Sequence, residues 1–331
     1  MKLQVLALAR RAAAVILAAS AALAAGCASV PPSAPRVIAF GDSLTDLGTF
    51  ARRPGVRTAG RFTTNPGPLW VEVVAANLGT SIGPNRRAGW GAPPAGLGGL
   101  GYAEAGARVA QPTAKRNTEA NAGPGSADTI LPVRAQVGAY LAAHGRFAPA
   151  DVVLVWAGAN DLFLHTFGAP VAAADGERLM REAARDLAAE VARLVAAGAG
   201  KVVVLTIDDY GEAPATLGSP KRPMMSAWTR AFNDEVARGV AGMRQVAVAD
   251  AGAVLREARQ APQRFGLKNS LDSACDLKKL PDEESIFCDA STLVERDANL
   301  TYLYADGVHP STAGHRIVAG TVMEAMRRAG W

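Results

Sequence analysis

Four short, largely apolar runs separated by helical segments constrain the fold of this chain more than any other feature of its sequence. The runs occupy residues 36–40, 151–156, 201–206 and 245–250. Each is too short for a helix and is typical of a strand buried on both faces. Apolar spacing between and beyond the runs predicts helices over 66–78, 130–144, 175–197, 219–240 and 310–328. Strands that alternate with helices favour a parallel sheet covered on both sides.

The chain length fits a single domain of this kind. A chain of 331 residues, 49% of them hydrophobic and 20% charged, can bury a large core. Neither an internal repeat nor a linker interrupts the region after the N-terminal segment. We therefore predict one domain over residues 36–331.

The N-terminal segment predicts export. Three basic residues precede an apolar run over 12–25, which is short for a membrane span, and small residues then lead to Cys27. We predict a signal peptide over 1–26, lipid attachment at Cys27 and a Pro/Ser-rich tether over 27–35. Plain cleavage and an uncleaved anchor are the alternatives. The expected location is the periplasm or cell envelope, as an outer-membrane lipoprotein, or alternatively secretion.

Two further cysteines, Cys275 and Cys288, flank a short polar segment. In an oxidising compartment, two such cysteines would most simply pair. We therefore predict a Cys275–Cys288 disulfide, with two free thiols as the alternative.

The net charge of +5 says little about partners, because three basic residues lie in the N-terminal segment, which has no acidic ones. No basic stripe with interleaved aromatics predicts nucleic-acid binding. No cluster has metal-ligand spacing and no glycine-rich phosphate motif occurs. We expect no metal, no cofactor, no nucleic acid and no obligatory protein partner.

Ser43 is the first candidate for chemistry, because it follows the first predicted strand and a glycine. Ligands of doubly wound sheets bind at the carboxyl ends of strands, and we expect Ser43 to open a helix there. Helix N-termini stabilise developing negative charge, and a serine becomes nucleophilic when a base removes its proton. Serine is also a preferred helix N-cap, and this segment alone does not separate the two roles.

The sequence Asp-Gly-Val-His at 306–309 can provide that base. A catalytic histidine needs a carboxylate to fix its tautomer and stabilise its imidazolium form. Asp306 and His309 can supply both groups from one turn just before the last predicted helix. The remaining histidines lack this arrangement and are predicted to be structural or exposed: His144, His165 and His315.

Asn160 and Asp161 follow the second predicted strand. A side-chain amide at this position can donate a hydrogen bond to an oxyanion. The alternative is a turn in which Asp161 caps the next helix. We predict both roles, with Asn160 as the donor and Asp161 as the cap.

Taken together, these segments resemble the GDSL, or SGNH, hydrolase family. Gly-Asp-Ser-Leu at 41–44, Gly-Ala-Asn-Asp at 158–161 and the Asp-x-x-His segment occur in the family's order. The resemblance implies a three-layer α/β/α sandwich with a mainly parallel, flavodoxin-like central sheet. It also implies ester hydrolysis through an acyl-serine, with Ser43 as nucleophile, His309 as general base and Asp306 orienting it.

The same resemblance implies an oxyanion hole made by the N–H groups of Ser43 and Gly106 and the side chain of Asn160. Gly106 lies in Gly-Tyr-Ala-Glu-Ala-Gly-Ala at 101–107, where the family usually has Asn-Tyr-Ala-x-Gly-Gly-Ala. The second glycine of that pattern is kept, but the asparagine and the first glycine are replaced. The loop geometry around Gly106 therefore stays open.

Residues 60–70 look like the lipase-like subgroup of the family. The similarity is greatest to passenger domains of bacterial outer-membrane autotransporter esterases. We expect no barrel after these residues, and we expect a lipid at Cys27 to provide the membrane tether instead.

The sequence says less about which ester is the substrate. Fatty-acyl or short aliphatic esters are favoured by the expected membrane anchor and the lipase-like resemblance. The alternatives are an O-acetylesterase acting on cell-envelope polysaccharide and a non-catalytic envelope-binding protein. We predict that apolar loop residues line an acyl pocket, with ordinary packing as the alternative: Trp90, Leu97, Leu100, Phe163 and Phe167.

Overall fold

The central sheet has four parallel strands, each formed where an apolar run predicts one. In the computed structural model these are β1 (Val37–Gly41), β2 (Val152–Trp156), β3 (Lys201–Leu205) and β4 (Val246–Ala249), in that spatial order. Every residue of β1 and β2 is buried, as a sheet covered on both faces requires.

The segment 100–104 pairs with β1 on the side opposite β2. The Tyr102 N–H donates to the Ala39 carbonyl at 2.8 Å, and the Ala39 N–H donates to the Leu100 carbonyl at 3.0 Å. The segment runs parallel to β1, so β1 lies inside the sheet. This is the strand order of a flavodoxin-like fold, as predicted.

The structure describes residues 35–51, 60–88, 94–112 and 130–331. The predicted signal peptide, the lipid site at Cys27, the tether up to residue 34, and Trp90 lie outside these ranges. Residues Pro35–Trp331 form one compact unit. Across the described ranges, no helix combines the length and apolar character needed to cross a membrane.

Helices cover both faces of the sheet, which confirms the three-layer prediction. In one group, α4 (Ala173–Ala196) packs against α2 (Val133–His144) and α5 (Arg222–Val240). In the other, α8 (Thr312–Arg328) packs against α1 (Trp70–Asn77) and α6 (Ala251–Gln260). The bounds of these helices were predicted to within four residues, except for α6, which was not predicted. The N-cap residue of α6, Asp250, accepts from the Ala253 N–H at 3.0 Å.

Shorter elements complete the described part of the chain. They comprise helices α3 (Ala159–Phe163) and α7 (Ala298–Thr301), a π-helical turn (Leu164–Gly168), strands β5 (Asn269–Ser273) and β6 (Tyr302–Tyr304), an antiparallel ladder (Arg86–Arg87 with Ala95–Gly96), and 3₁₀ turns (Pro214–Thr216, Pro262–Phe265, Leu277–Lys279, Pro281–Glu283, Ser285–Phe287). Strand β6 leads directly into the loop that carries Asp306.

A second, smaller apolar cluster contains the disulfide. Cys275 and Cys288 are bonded, with their Cα atoms 6.0 Å apart, as predicted. Their cluster includes Phe62, Ala105 and Ala305, each of which adjoins a candidate site residue or lines the cleft. The segment 275–288, called here the disulfide loop, is therefore anchored next to the candidate site.

Removing the disulfide should destabilise the fold. Closing a loop with a sequence separation of 13 lowers the entropy of the unfolded chain, and we expect Cys275→Ala/Cys288→Ala to lower the free energy of unfolding by about 3 kcal/mol. Urea denaturation of both proteins under oxidising conditions measures this. Reduced wild-type protein is the control, and it should approach the double variant. A loss below about 1 kcal/mol would contradict the prediction.

Candidate active site

Gly41 allows the chain to turn over the end of the neighbouring strand. Its φ is +154°, and a Cβ at this position would lie 2.2 Å from the Trp156 carbonyl oxygen. The Gln136 side chain fixes the turn, because it accepts from the Gly41 N–H at 2.9 Å and donates to its carbonyl at 2.8 Å. Ser43 is thereby held at the carboxyl edge of the sheet.

Ser43 lies in a single tight turn, so the prediction that it opens a helix is wrong. The N–H groups of Thr45 and Asp46 both donate to the Asp42 carbonyl at 3.0 Å. The Asp46 carboxylate then accepts from the N–H groups of Gly48 and Thr49, at 2.9 and 2.7 Å, and the turn ends there. The alternative role as a helix N-cap therefore does not apply, and the Ser43 hydroxyl contacts His309 instead.

Asp306 and His309 form one side of a hydrogen-bonded chain that reaches Ser43. The Asp306 Oδ1 atom accepts from the N–H groups of Val308 and His309 at 2.9 and 2.8 Å. Its Oδ2 atom lies 2.7 Å from His309 Nδ1, and His309 Nε2 lies 3.0 Å from Ser43 Oγ. The structure thus brings together all three residues named from the sequence, in the order that general-base catalysis requires.

The electrostatics of the pair favour an ionised Asp306. Burial alone would raise the pKa of Asp306, but the charge and hydrogen bonds of His309 outweigh it and lower the pKa to about 2. Burial would likewise lower the pKa of His309, whereas the charges of Asp306, Glu284 and Asp42 raise it above its ordinary value. A carboxylate in this position stabilises the imidazolium that forms during proton transfer.

Asn160 and Gly106 face the same cleft, one from a helix and the other from a loop. Asn160 lies in α3, which begins where β2 ends, and its Nδ2 atom donates to the Ala107 carbonyl at 3.0 Å. Gly106 has a φ of +81°, a conformation that favours glycine. The bond to Ala107 ties the Asn160 amide to the loop that carries Gly106.

Asp161 does not cap a helix, which corrects the prediction. It lies inside α3, and its carboxylate accepts from Arg108 Nε and from the Val109 N–H, both at 3.0 Å. Burial raises its pKa, while Arg108 and the Val109 N–H oppose that shift. Asp161 therefore holds the 106–109 loop against α3, a contact that spans 52 residues of sequence and has no local signal.

These groups surround a cleft of about 260 Å³. Its lining comprises Ser43, Leu44, Phe62, Ala105, Gly106, Ala159, Asn160, Phe163, Tyr210, Glu284, Val308 and His309. Of the predicted acyl-pocket residues that the structure describes, only Phe163 is among them. Leu97 and Phe167 are 43% and 49% exposed, and Leu100 packs against the main core beside β1.

Aromatic and acidic residues that the sequence did not predict complete the cleft: Phe62, Tyr210 and Glu284. They come from irregular loops, where periodicity gives no signal. The Phe62 ring lies 4.8 Å from the His309 ring, and the Tyr210 ring lies 4.8 Å from that of Phe163 (centroid distances). Within the described residues, no group of acidic, His and Cys side chains could hold a metal ion.

Comparison with known proteins gives one family. Residues 37–322 match the model of the GDSL-like Lipase/Acylhydrolase family. The chain is 28% identical over 313 residues to an uncharacterized protein in the trpE-trpG intergenic region of Pseudomonas putida (91% of this chain, 50% of the relative). It is 30% identical over 177 residues to Lipase 1 of Photorhabdus luminescens (53% and 22%). The chain thus spans half or less of these relatives.

Solved structures of similar proteins were also found. A member of the lipolytic protein G-D-S-L family from Veillonella parvula has a TM-score of 0.44 at 16% identity, covering 89% of this chain and 100% of that one. Axe2, an acetylxylan esterase from Geobacillus stearothermophilus, has a TM-score of 0.42 at 17% identity, covering 90% and 94%.

Asp42 should make the stability of the protein depend on pH. Its Oδ1 atom accepts from the Leu44 N–H at 3.1 Å, and burial raises its pKa to about 7, against about 3.9 in an unfolded chain. The native state therefore holds this proton more tightly, and the wild type loses stability as the pH rises from about 4 to 7. Asp42→Asn does not titrate and keeps an oxygen for Leu44.

We expect the free energy of unfolding of Asp42→Asn, relative to wild type, to increase by about 2 kcal/mol between pH 5 and pH 7.5. Urea denaturation at the two pH values measures this. Asp175→Asn, at a side chain that is 61% exposed, is the matched control. An Asp42→Asn difference that does not change with pH would contradict the prediction.

Proposed function

The chain belongs to the GDSL-like lipase/acylhydrolase family, and on that premise we propose that it hydrolyses carboxylic esters through an acyl intermediate on Ser43. The observation that carries the proposal is the hydrogen-bonded chain from Ser43 Oγ to His309 Nε2 (3.0 Å) and from His309 Nδ1 to Asp306 (2.7 Å). This chain lies in a cleft at the carboxyl edge of a parallel sheet, where such folds bind ligands.

In the first half of the proposed reaction, His309 takes the proton of Ser43 as Oγ attacks the ester carbonyl carbon. The resulting oxyanion is placed against the N–H of Ser43, the N–H of Gly106 and the amide of Asn160, which has one N–H beyond its bond to Ala107. The imidazolium then gives its proton to the departing alcohol oxygen, which leaves an acyl-serine.

In the second half, water replaces the alcohol. His309 accepts a proton from the water as it attacks the acyl carbonyl, and it returns that proton to Ser43 Oγ when the carboxylic acid departs. Asp306 keeps its charge throughout, because it orients the imidazole and stabilises its cationic form without taking the proton. Its low pKa, about 2, fits this role.

The dimensions of the cleft favour short aliphatic acyl groups. Its volume is about 260 Å³, at the small end of ligand pockets. We assign the acyl group to the wall formed by Phe163 and Tyr210, which adjoins Asn160 and the start of α3. A cleft of this volume suits acetyl to butyryl chains better than long fatty chains.

Export and anchoring are part of the proposal, on the basis of the basic and apolar N-terminal segment before Cys27. We expect cells that express the full chain to incorporate labelled palmitate into the protein, and we expect Cys27→Ser to abolish the label. Cys275→Ser serves as the matched cysteine control and should stay labelled. Equal labelling of the wild type and Cys27→Ser would contradict lipid attachment at Cys27.

Activity should depend on Ser43 and His309. We expect Ser43→Ala and His309→Ala each to lower kcat/KM for p-nitrophenyl acetate and butyrate by roughly a thousandfold or more, because an unassisted hydroxyl barely attacks an ester. Ser81→Ala, at an exposed serine outside the cleft, is the matched control. Initial rates across acetyl to decanoyl esters measure both the activity and the chain-length preference.

The outcomes separate the alternatives. Activity that survives in Ser43→Ala would overturn the assignment of the nucleophile. Strict acetyl preference together with acetate release from envelope polysaccharide would indicate the O-acetylesterase alternative. Absence of turnover in the wild type on every chain length would favour a non-catalytic binding protein.

A further inference from the structure

Three aromatic rings lead from the cleft to the surface of the protein. The Tyr210 and Phe163 rings line the cleft and have their centroids 4.8 Å apart. The Phe167 ring stacks on Phe163, with centroids 6.4 Å apart and an interplanar angle of 25°. Exposure rises along the series, because Tyr210 is buried, Phe163 is partly buried and Phe167 is 49% exposed. The three rings are called here the aromatic ledge.

Phe167 is held on this ledge by its own backbone turn and by one lysine. It lies in the π-helical turn after α3, where Thr166 Oγ1 donates to the Leu162 carbonyl at 2.8 Å. Lys221, the N-cap residue of α5, donates from Nζ to the Thr166 carbonyl at 2.6 Å. The same ammonium group lies 5.2 Å from the centroid of the Phe167 ring, a distance at which a cation is attracted to an aromatic face. The ring is therefore fixed although much of it faces solvent.

The exposure of Phe167 gives the cleft an apolar surface beyond its own walls. Among the described residues, Phe167 is the only aromatic side chain that is exposed. A single exposed apolar residue needs no explanation by itself, but this ring stacks directly on a residue that lines the cleft. A hydrocarbon chain lying across both rings would remove apolar area from water on each. An acyl chain that leaves the cleft past Phe163 therefore meets Phe167 next.

We propose that Phe167 determines acyl specificity by binding the acyl carbons that extend beyond the cleft, so that hexanoyl and octanoyl esters are accepted as well as short ones. This inference rests on the proposed ester hydrolysis at Ser43, with the acyl group on the wall formed by Phe163 and Tyr210. A fully buried methylene raises kcat/KM about fourfold, and one that contacts the ledge on one side raises it about twofold. The methylenes that octanoate has beyond butyrate should therefore gain about tenfold from Phe167.

The p-nitrophenyl esters from acetate to octanoate test the proposal, because only the acyl chain changes along the series. The quantity compared is the chain-length ratio, which is kcat/KM for the octanoate divided by kcat/KM for the acetate. We expect Phe167→Ala to lower this ratio about tenfold, and Phe167→Leu, which keeps a large apolar side chain, to lower it by less than about threefold. Leu271→Ala, at a leucine in β5 that is 45% exposed, is the matched control and should keep the wild-type ratio. Initial rates below the concentration at which the octanoate forms micelles measure the ratio.

A second ester series determines which part of the substrate the ledge binds. In ethyl, butyl and octyl acetate the acyl group is constant and the alcohol grows. If the ledge binds the acyl chain, Phe167→Ala should keep the wild-type ratio of kcat/KM for octyl acetate to that for ethyl acetate. A loss in this alcohol series, with none in the acyl series, would show that the ledge binds the alcohol and would overturn the inference. Acid release at constant pH measures the alcohol series.

Failure of this inference and failure of the proposed function give different results. If the wild type hydrolyses none of these esters above the rate of Ser43→Ala, the ester hydrolysis itself is wrong. If the acetate is hydrolysed but Phe167→Ala keeps the wild-type chain-length ratio, Phe167 does not bind the acyl chain. A wild-type kcat/KM that falls more than about a hundredfold from butyrate to octanoate also overturns the inference, because a chain that gains from the ledge cannot lose so much. This last result needs no variant, so the test stands even if Phe167→Ala fails to fold.

Discussion

Buried carboxylates that accept backbone N–H groups hold the loops of the cleft in place. A carboxylate that leaves water is tolerated only when hydrogen bonds or a cation satisfy its oxygens, so each one fixes the chain around it. Asp46 accepts from the Ala105 N–H at 2.8 Å, beside Gly106. Asp161 accepts from the Val109 N–H on the other side of that loop, and Asp306 fixes its own turn. The candidate oxyanion donors and the base therefore depend on groups that touch no substrate.

Asp42 is held less completely than these three, and it lies next to the nucleophile. Its Oδ1 atom accepts one N–H, from Leu44, which is too little to compensate burial, and its pKa rises to about 7. A neutral Asp42 places no charge behind His309, whereas an ionised one raises the pKa of that base. The charge next to the nucleophile thus changes within the neutral pH range.

The sequence was sufficient to name the candidate site residues that follow predicted strands or precede the last helix. Ser43 and His309 are 266 residues apart, yet both could be named, because Gly-Asp-Ser-Leu and Asp-x-x-His are short local motifs whose order along the chain resembles that of the GDSL family. The details of the loops could not be predicted. Whether Ser43 opens a helix was decided by the Asp46 carboxylate, and Asp161 found its partners across 52 residues rather than in the next turn. Such contacts depend on packing and leave no pattern along the chain.

The two sides of the cleft depend on different sources of rigidity. Ser43 and Asn160 follow strands of the main core, whose apolar side chains are buried on both faces of the sheet. Phe62 belongs to the second cluster, and Glu284 lies in the disulfide loop beside it; that cluster is small and is closed by one covalent bond. Small cores supply little stability alone, so the disulfide matters most for the side of the cleft that Phe62 lines. The nucleophile is thereby fixed by the main core, whereas the Phe62 side of the cleft depends on a small cluster and one short loop.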